Sequence, residues 1–596
     1  MSLRLFQDHA FLSRRAFVQA SAASFAAFPV GFGLGESLAI GAAENSVARY
    51  IIERLAKQRA DILFGVPGAT CDPLFMAAAA DPGMDIVVTA SDLEAGYAAD
   101  GFARARGLAA LSLTYGVGTL SAISVVAGAY AERSPIVVIN GGPNRTDLKL
   151  QRKHRTYFSH STGREQSDWV MFREVTAMAT RIDRIDEAPA KIDRAIATAL
   201  REKRPVYIEV AKDLWRKPCG TPGEKLAPAT EPSGNEAQHA ASIVSRLKTA
   251  KRPLVFLGVE IQRFGLEAEA KSLIAKLGTP YATTMLAKSV LTESTPHFAG
   301  VYAGVNSIPS TRALVEKSDF VLALGCVFGR QYRRLATHAA KKGIVANDGE
   351  FRSGGPKATP CSLGDLIRAL LTTRYQANPT HSTTNPLNGL SFESRRRSVP
   401  NTTRPKETIG VPYDRILALV SEHLDANHAV LTDTSLSMYP AADLNVPSAG
   451  AFFCNGVWQS IGFSAGAAVG VALATGKRPV VLCGDGGFQM TAQALSTMVR
   501  AGLKAVVIVL DNGHYGIEQY LLDSSYFADD SPGLPHLGLN RWDYPAFARA
   551  LGFKDARAIR RPEELKQALV DSRQATGPML LSVTIPPKDL PRQLRK

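Results

Sequence analysis

From Val47 to about Pro228, helical patterns alternate with short, wholly apolar runs. The run Ala48–Arg59 has the spacing of an amphipathic helix, and Ile62–Phe64 after it reads as a buried strand. Leu108–Thr114 is a second such strand, entering Tyr115-Gly-Val-Gly118; a helix over Thr119–Glu132 and a strand over Ile136–Ile139 follow. The same alternation restarts at Arg252–Gly258, includes Asp319–Gly325, and appears a third time from Tyr413 to the end. Strands without polar alternation, separated by helices, predict parallel sheets covered on both faces. The fold class expected is therefore α/β, with three consecutive doubly wound parallel-sheet domains. Between about Tyr375 and Thr408 the composition turns to Asn, Thr, Ser and Pro with the triplet Arg395-Arg396-Arg397, which reads as a linker. The boundaries expected are 44–228, 229–375, a linker over 376–410, and 411–596. No short-period repeat is visible.

At 596 residues the chain is too long for one core, which agrees with several domains. Its 45% hydrophobic and 21% charged residues are ordinary for a globular protein. The net charge of +15 is high, yet Lys and Arg are scattered rather than interleaved with aromatics. That argues against nucleic acid as a partner and weakly favours small anionic substrates. The six cysteines (Cys71, Cys219, Cys326, Cys361, Cys454, Cys483) lack metal-ligand spacing and read as buried thiols.

The N-terminus has the look of an address. Ser13-Arg-Arg-Ala-Phe-Val-Gln19 resembles the twin-arginine export signal, followed by a small apolar run to Ile40 and a cleavage-like Gly41-Ala-Ala43. Pro29, Glu36 and several glycines make that run a poor membrane span. The expectation is a removable signal over residues 1–43, no stable membrane anchor after cleavage, and a periplasmic or exported mature protein.

Candidate chemistry concentrates late in the chain. Arg478–Gln489 reads as a buried strand ending in Gly484-Asp485-Gly486-Gly487, and a second strand ends at Asp511-Asn512. In a parallel sheet both ends fall at the carboxyl edge, where open α/β sheets bind ligands. The carboxylate of Asp485, the amide oxygen of Asn512 and the backbone carbonyl of His514 would supply three hard oxygen ligands, as Mg²⁺ prefers. The glycines permit close backbone approach to a diphosphate. With Asn512 placed 27 positions after Asp485 in β–α–β context, the segment resembles the Mg²⁺–thiamine diphosphate (ThDP) motif.

Further phrases extend that resemblance over nearly the whole mature chain, to the pyruvate and indolepyruvate decarboxylase family. They are Phe64-Gly-Val-Pro-Gly68, Tyr97-Ala-Ala-Asp-Gly-Phe-Ala-Arg104, Tyr115–Ala122 with Ala127–Glu132, Gly300-Val-Tyr-Ala-Gly304, and Val457-Trp-Gln-Ser-Ile-Gly-Phe463. The resemblance implies ThDP and Mg²⁺ as cofactors, with Gly116 and Gly484–Gly487 beside the cofactor. It implies Ile461 as the hydrophobic wedge that bends ThDP into its V shape. A carboxylate at the pyrimidine nitrogen is normally a Glu eight positions before the Asp of Ala-Asp-Gly. Counting back from Asp100 gives Asp92, one methylene or about 1.5 Å shorter. Glu94, two positions on, should face another side of the helix.

Two proton-handling groups depart from the family pattern. The opening loop has Ala69 where the decarboxylases carry Asp, and their paired histidines are reduced to Ser159-His160. The remaining family acid is Glu518. The resemblance thus implies non-oxidative decarboxylation of a 2-oxo acid through an enamine, with Asp92, His160 and Glu518 as catalytic groups. Indolepyruvate-like acids fit it, though aromatic, branched and small aliphatic substrates are not ranked by the sequence. Thinned protonation chemistry keeps a carboligase of acyloin or acetolactate type as an alternative. A ThDP-binding protein with little catalysis is a third. The resemblance also implies a homodimer or homotetramer.

Overall fold

The computed structural model describes residues 44–224, 226, 233–381, 385–396, 409–528 and 531–595. The twin-arginine phrase and the cleavage-like Gly41-Ala-Ala43 lie outside them. The chain forms three sheets in two compact units.

The first unit holds the described residues through Tyr130, those of Ser134–Pro228, and the segment Gln493–Lys504. Its sheet comprises β1 (Ile62–Gly65), β2 (Asp85–Val88), β3 (Ala109–Ser112), β4 (Ile136–Gly142), β5 (Met178–Ile182) and β6 (Val206–Ala211). They lie side by side in the order β2-β1-β3-β4-β6-β5, all neighbours parallel. Strands β1, β3, β4 and β6 are wholly buried; the first three fall on the apolar runs expected at Ile62–Phe64, Leu108–Thr114 and Ile136–Ile139, and β6 adds the buried Glu209. The amphipathic helix expected near the start spans Val47–Lys57, capped by the Ser46 hydroxyl, and buries Val47, Ile51, Ile52 and Leu55. The single helix expected over Thr119–Glu132 is interrupted. Val117–Ser121 and Ile123–Ala131 are separate helices, joined at Ala122 where the hydrogen bonds tighten to a three-residue step.

The second unit holds Ala131–Arg133, the described residues between Ala229 and Ala492, and Ala505 onward. It contains two sheets. One comprises β7 (Pro253–Leu257), β8 (Tyr281–Thr283), β9 (Phe298–Val301), β10 (Phe320–Leu324), β11 (Ile344–Asn347), β12 (Glu350–Ser353) and β13 (Ala358–Thr359), in the order β13-β12-β11-β10-β7-β8-β9. This sheet is mixed rather than purely parallel. β11, β12 and β13 turn back on one another antiparallel, because Asp348-Gly349 makes a short turn in place of a crossover helix.

The other sheet comprises β14 (His428–Thr432), β15 (Phe452–Cys454), β16 (Arg478–Gly484), β17 (Val506–Asp511), β18 (Asp555–Ile559) and β19 (Met579–Thr584). Its order, β15-β14-β16-β17-β19-β18, is the order of the first sheet over again, and all its pairs are parallel. In each sheet the chain leaves its first strand in one direction and returns to the third on the other side. That reversal opens a crevice at the carboxyl ends of β1 and β3, and of β14 and β16.

The segment read as a linker is partly packed where it is described. Leu387 and Phe392 are buried, the Asn385 amide donates to the Glu293 carbonyl, and Arg395 is buried with a hydrogen bond to the Asp443 carbonyl. All six cysteines are free; five are buried and Cys219 is half-buried. Among the described residues no helix is long and apolar enough to cross a membrane.

Candidate cofactor site

In the second unit, β16 delivers Asp485 directly into a helix, Asp485–Thr491. Asp485 is 2% exposed. Its two oxygens accept hydrogen bonds from the backbone N–H of Gly486 (2.9 Å) and of Gly513 (2.6 Å). Burial, with the Asp511 carboxylate alongside, pushes its carboxyl up to about 7. β17 ends one strand over, at Asp511, and the turn after it carries Asn512. The Asn512 amide is oriented from both ends. Its oxygen accepts from the His514 N–H at 3.0 Å, and its NH₂ donates to the Tyr413 hydroxyl at 3.3 Å. The His514 carbonyl accepts from Gly516 N–H (2.8 Å) and keeps a second lone pair.

These residues fit a hard cation. The set is all oxygen, Asp485 is a buried carboxylate beside another, and an oxygen of Asp511 is buried without a protein partner. A Mg²⁺ ion held by Asp485, Asn512 and the His514 carbonyl would relieve that like-charge crowding. The adjoining glycines are required by close approach. A Cβ on Gly486 would come within 2.5 Å of the Tyr515 ring, and one on Gly487 within 2.3 Å of an Asp433 oxygen. Gly484, extended at φ −65°, caps the helix.

Ile461 is half-buried, at the end of an irregular loop before the helix Phe463–Thr475. It is not a core isoleucine, and its side chain remains partly accessible. Glu518 is exposed in the first turn of the helix Gly516–Leu522. Two buried residues of this region drew no attention in the sequence. Asp433, just past β14, hydrogen-bonds the Ile461 loop, and Tyr413 holds the Asn512 amide. Neither belongs to a glycine-rich or metal-like motif. Only their contacts distinguish them.

In the first unit, the helix Asp92–Arg106 begins at Asp92, with Ser91 as its cap. The Ser91 hydroxyl accepts from Glu94 N–H (3.2 Å), and the Glu94 carboxylate accepts from Ala90 N–H (3.0 Å). Glu94 is fully buried in this reciprocal cap. Asp92 faces elsewhere. It is half-buried, and one carboxylate oxygen is buried without a protein partner. That oxygen lies where a Cβ on Gly118 would come within 2.8 Å. Burial raises the carboxyl of Asp92 above the usual range, and does the same to Glu94. The two carboxylates therefore divide as helical geometry requires, Glu94 inward and Asp92 toward the turn after β3.

That turn is built around Gly116, whose φ of +71° suits glycine and whose Cβ would come within 2.6 Å of the His160 carbonyl. Its N–H donates to the buried Asp168 carboxylate (2.8 Å), which the Thr119 hydroxyl also reaches. His160 is exposed, at φ +65°. Thr70, two residues past Gly68, bonds both the Thr114 hydroxyl (3.0 Å) and Tyr115 N–H (3.1 Å). Asp92, Gly116, His160 and the Phe64–Gly68 loop thus converge at the crevice beside β1 and β3.

Comparison with known proteins matches these regions in order. Residues 45–165 match the N-terminal TPP binding domain of thiamine pyrophosphate enzymes, 240–351 the central domain, and 434–583 the C-terminal TPP binding domain. An alpha-keto-acid decarboxylase of Mycobacterium avium is 31% identical over 92% of this chain and 95% of its own length. Pyruvate decarboxylase 1 of Oryza sativa is 30% identical over 91% and 89%. A thiamine diphosphate-dependent 4-hydroxybenzoylformate decarboxylase from Rhodococcus jostii shares the fold, with a TM-score of 0.72 at 18% identity, over 91% of this chain and 99% of its own. With its domain matches in this order and its relatives alike from end to end, the chain belongs to the thiamine pyrophosphate enzyme family and is an enzyme that uses ThDP.

Proposed function

We propose that this enzyme decarboxylates a 2-oxo acid without oxidation, using ThDP and Mg²⁺. The observation that carries the reading is end-to-end likeness to alpha-keto-acid and pyruvate decarboxylases, at about 30% identity. Asp485, Asn512 and the His514 carbonyl would hold Mg²⁺, and the backbone of Gly484–Gly487 would approach the diphosphate. When bound, ThDP supplies the nucleophilic carbon and the electron sink that loss of CO₂ requires. Ile461 would press the cofactor into its bent shape. Asp92 would hold a proton at the pyrimidine nitrogen, a task suited to a carboxyl whose burial favours its protonated form. Glu518 and His160 would move protons at the product carbon and oxygen.

Carboligation is the second reading, favoured by one feature. Among the groups that handle the product's proton, Ala69 and Ser159 stand where the resemblance expects an acid and a histidine. Slower delivery of a proton by the groups that remain would leave more time for a second carbonyl compound to take its place at the product carbon.

The same reading makes each cofactor shared between two chains of a dimer or dimer of dimers, with the first sheet of one chain and the third of another contributing. It also takes Ser13–Gln19 as an export signal, with the mature enzyme in the periplasm. Incubation with ThDP, Mg²⁺ and a panel of aromatic, branched and small 2-oxo acids, following CO₂ and organic products together, tests the chemistry. Aldehyde with stoichiometric CO₂ supports decarboxylation; acyloin or acetohydroxy acid supports the second reading. No CO₂ above background with any acid would overturn both and leave a ThDP binder.

A further inference from the structure

The loop that carries Ile461 exposes Trp458 and Gln459 but is held at both ends by buried groups. Asp433 is fully buried just beyond β14. One of its oxygens accepts from Gly462 N–H at 2.8 Å, and the other accepts from Ser464 N–H at 2.9 Å. The first of these also receives the Cys483 thiol, at 3.3 Å. Gly462, at φ +86°, is gripped through its carbonyl as well, which accepts from the Thr491 hydroxyl at 2.8 Å. Farther back in the loop, the buried Glu132 carboxylate accepts from Val457 N–H (2.6 Å) and Trp458 N–H (2.8 Å).

Asp433 also faces the other half of the site. The Cβ that Gly487 lacks would stand 2.3 Å from an Asp433 oxygen, so carboxylate and helix backbone are in direct contact. One side chain therefore touches Gly462 just after Ile461, Ser464 as the second residue of the next helix, and Gly487 at the end of the Gly484–Gly487 turn. A carboxylate can accept at both oxygens at once, whereas an amide of the same shape offers one acceptor. Burial raises the carboxyl of Asp433, and its backbone N–H donors oppose that rise.

We propose that Asp433 is a positioning residue that fixes Ile461 at a set distance from the Gly484–Gly487 turn, so that the bend in ThDP is imposed by the fold before the cofactor arrives. The inference rests on Ile461 being the wedge, part of the proposed function. It predicts a selective defect. Asp433→Asn should loosen the loop without altering the oxygen ligands.

Calorimetry on the full chain with Mg²⁺ present, titrating either ThDP or inorganic diphosphate, tests it. ThDP affinity should fall about 10-fold or more in Asp433→Asn, the scale of a lost hydrogen bond to a charged group, while diphosphate affinity stays within about twofold. Equal losses for both ligands, or no loss for either, would overturn the assignment. Ile461→Ala is the companion variant. If it shows the selective loss and Asp433→Asn does not, the positioning role fails while the wedge stands. If ThDP affinity is unchanged in Ile461→Ala, the wedge itself is misassigned and the inference falls with it. Should Asp433→Asn not fold, hydrogen exchange on the ThDP-free wild type decides. Slow exchange at Gly462 and Ser464 amides is expected, and exchange as fast as in an open loop would refute the clamp.

Discussion

Asp92 stands where the resemblance implies a Glu, and in the proposed role it would have one methylene less to reach the pyrimidine nitrogen. Its carboxylate is half-buried over Gly118 with one oxygen lacking a protein partner. Glu94 gives one oxygen to the Ala90 N–H and also keeps one without a hydrogen bond. What separates the two is direction, Glu94 being fully buried in the cap of its own helix and Asp92 lying against the turn after β3. Loss of a proton relay at such a site typically costs about 10²–10⁴-fold. Asp92→Asn is therefore expected to abolish most turnover with ThDP still bound, and Asp92→Glu to hold or raise the rate of proton loss at thiazolium C2. Glu94→Gln should lower thermal stability more than rate, because the Ala90 N–H keeps an oxygen to bond but loses a charged one. Hydrogen–deuterium exchange at C2 of bound ThDP is the measurement. Normal exchange in Asp92→Asn with collapse in Glu94→Gln would reverse the two roles.

Elements impose their own requirements. The turn after β3 needs a glycine at 116, both for its positive φ and because His160 occupies the space of a Cβ. Gly116→Ala should destabilise the protein by roughly 1–3 kcal/mol in chemical denaturation. It should also shift the His160 backbone, so that a defect in product release accompanies the loss. A neutral melting curve would mean that the turn relaxes freely. The helix Tyr413–His423 carries a pH-sensitive end. Burial, with His428 and the Arg573 and Arg478 cations nearby, lowers the His423 imidazole from 6.5 to about 4; Asp425 opposes this, and the Ser572 hydroxyl contacts the ring. The folded state thus binds fewer protons than the unfolded chain between these values. Stability should be full above about pH 6.5 and decline as pH falls toward 4, by about 1–2 kcal/mol once solvent screening is allowed for. His423→Gln should flatten that part of the denaturation profile. An unchanged acid slope would place the sensitivity elsewhere.

For the whole molecule, the proposed sharing of each cofactor between two chains would tie folding to association. Sedimentation is expected to show a dimer or tetramer at assay concentrations, and the melting temperature of the holoenzyme should rise with protein concentration. A fully active monomer would contradict the sharing. The export reading belongs at this scale too. Replacing Arg14 and Arg15 by Lys should strand the enzyme in the cytoplasm, and the exported form should begin near Ala43 or Glu44. Mature activity in the cytoplasm, with the segment around Arg14 still attached, would overturn it.

Much of this was legible in the chain alone, for a local physical reason. Uniformly apolar runs between helical patterns specify parallel strands, and glycines at strand ends mark backbone that something must approach closely. Gly484–Gly487, Asp485 and Asn512 stood out as candidates because glycines and hard oxygen groups gather at the ends of two apolar runs, 27 positions separating Asp485 from Asn512. Spacing on one helix sufficed to separate Asp92 from Glu94. The tertiary structure decided what depends on residues far apart. It brought the first and third sheets to one strand order, turned the middle sheet's edge antiparallel through a short turn, and broke the helix after Gly116. It packed part of an apparently polar linker through Arg395 and Phe392. Above all it showed Asp433 and Tyr413, an aspartate and a tyrosine without any motif, bonded to the Ile461 loop and to Asn512. A hydrogen bond across tens of residues leaves no period or spacing in the sequence, so only the folded chain could reveal which buried polar groups hold the site in place.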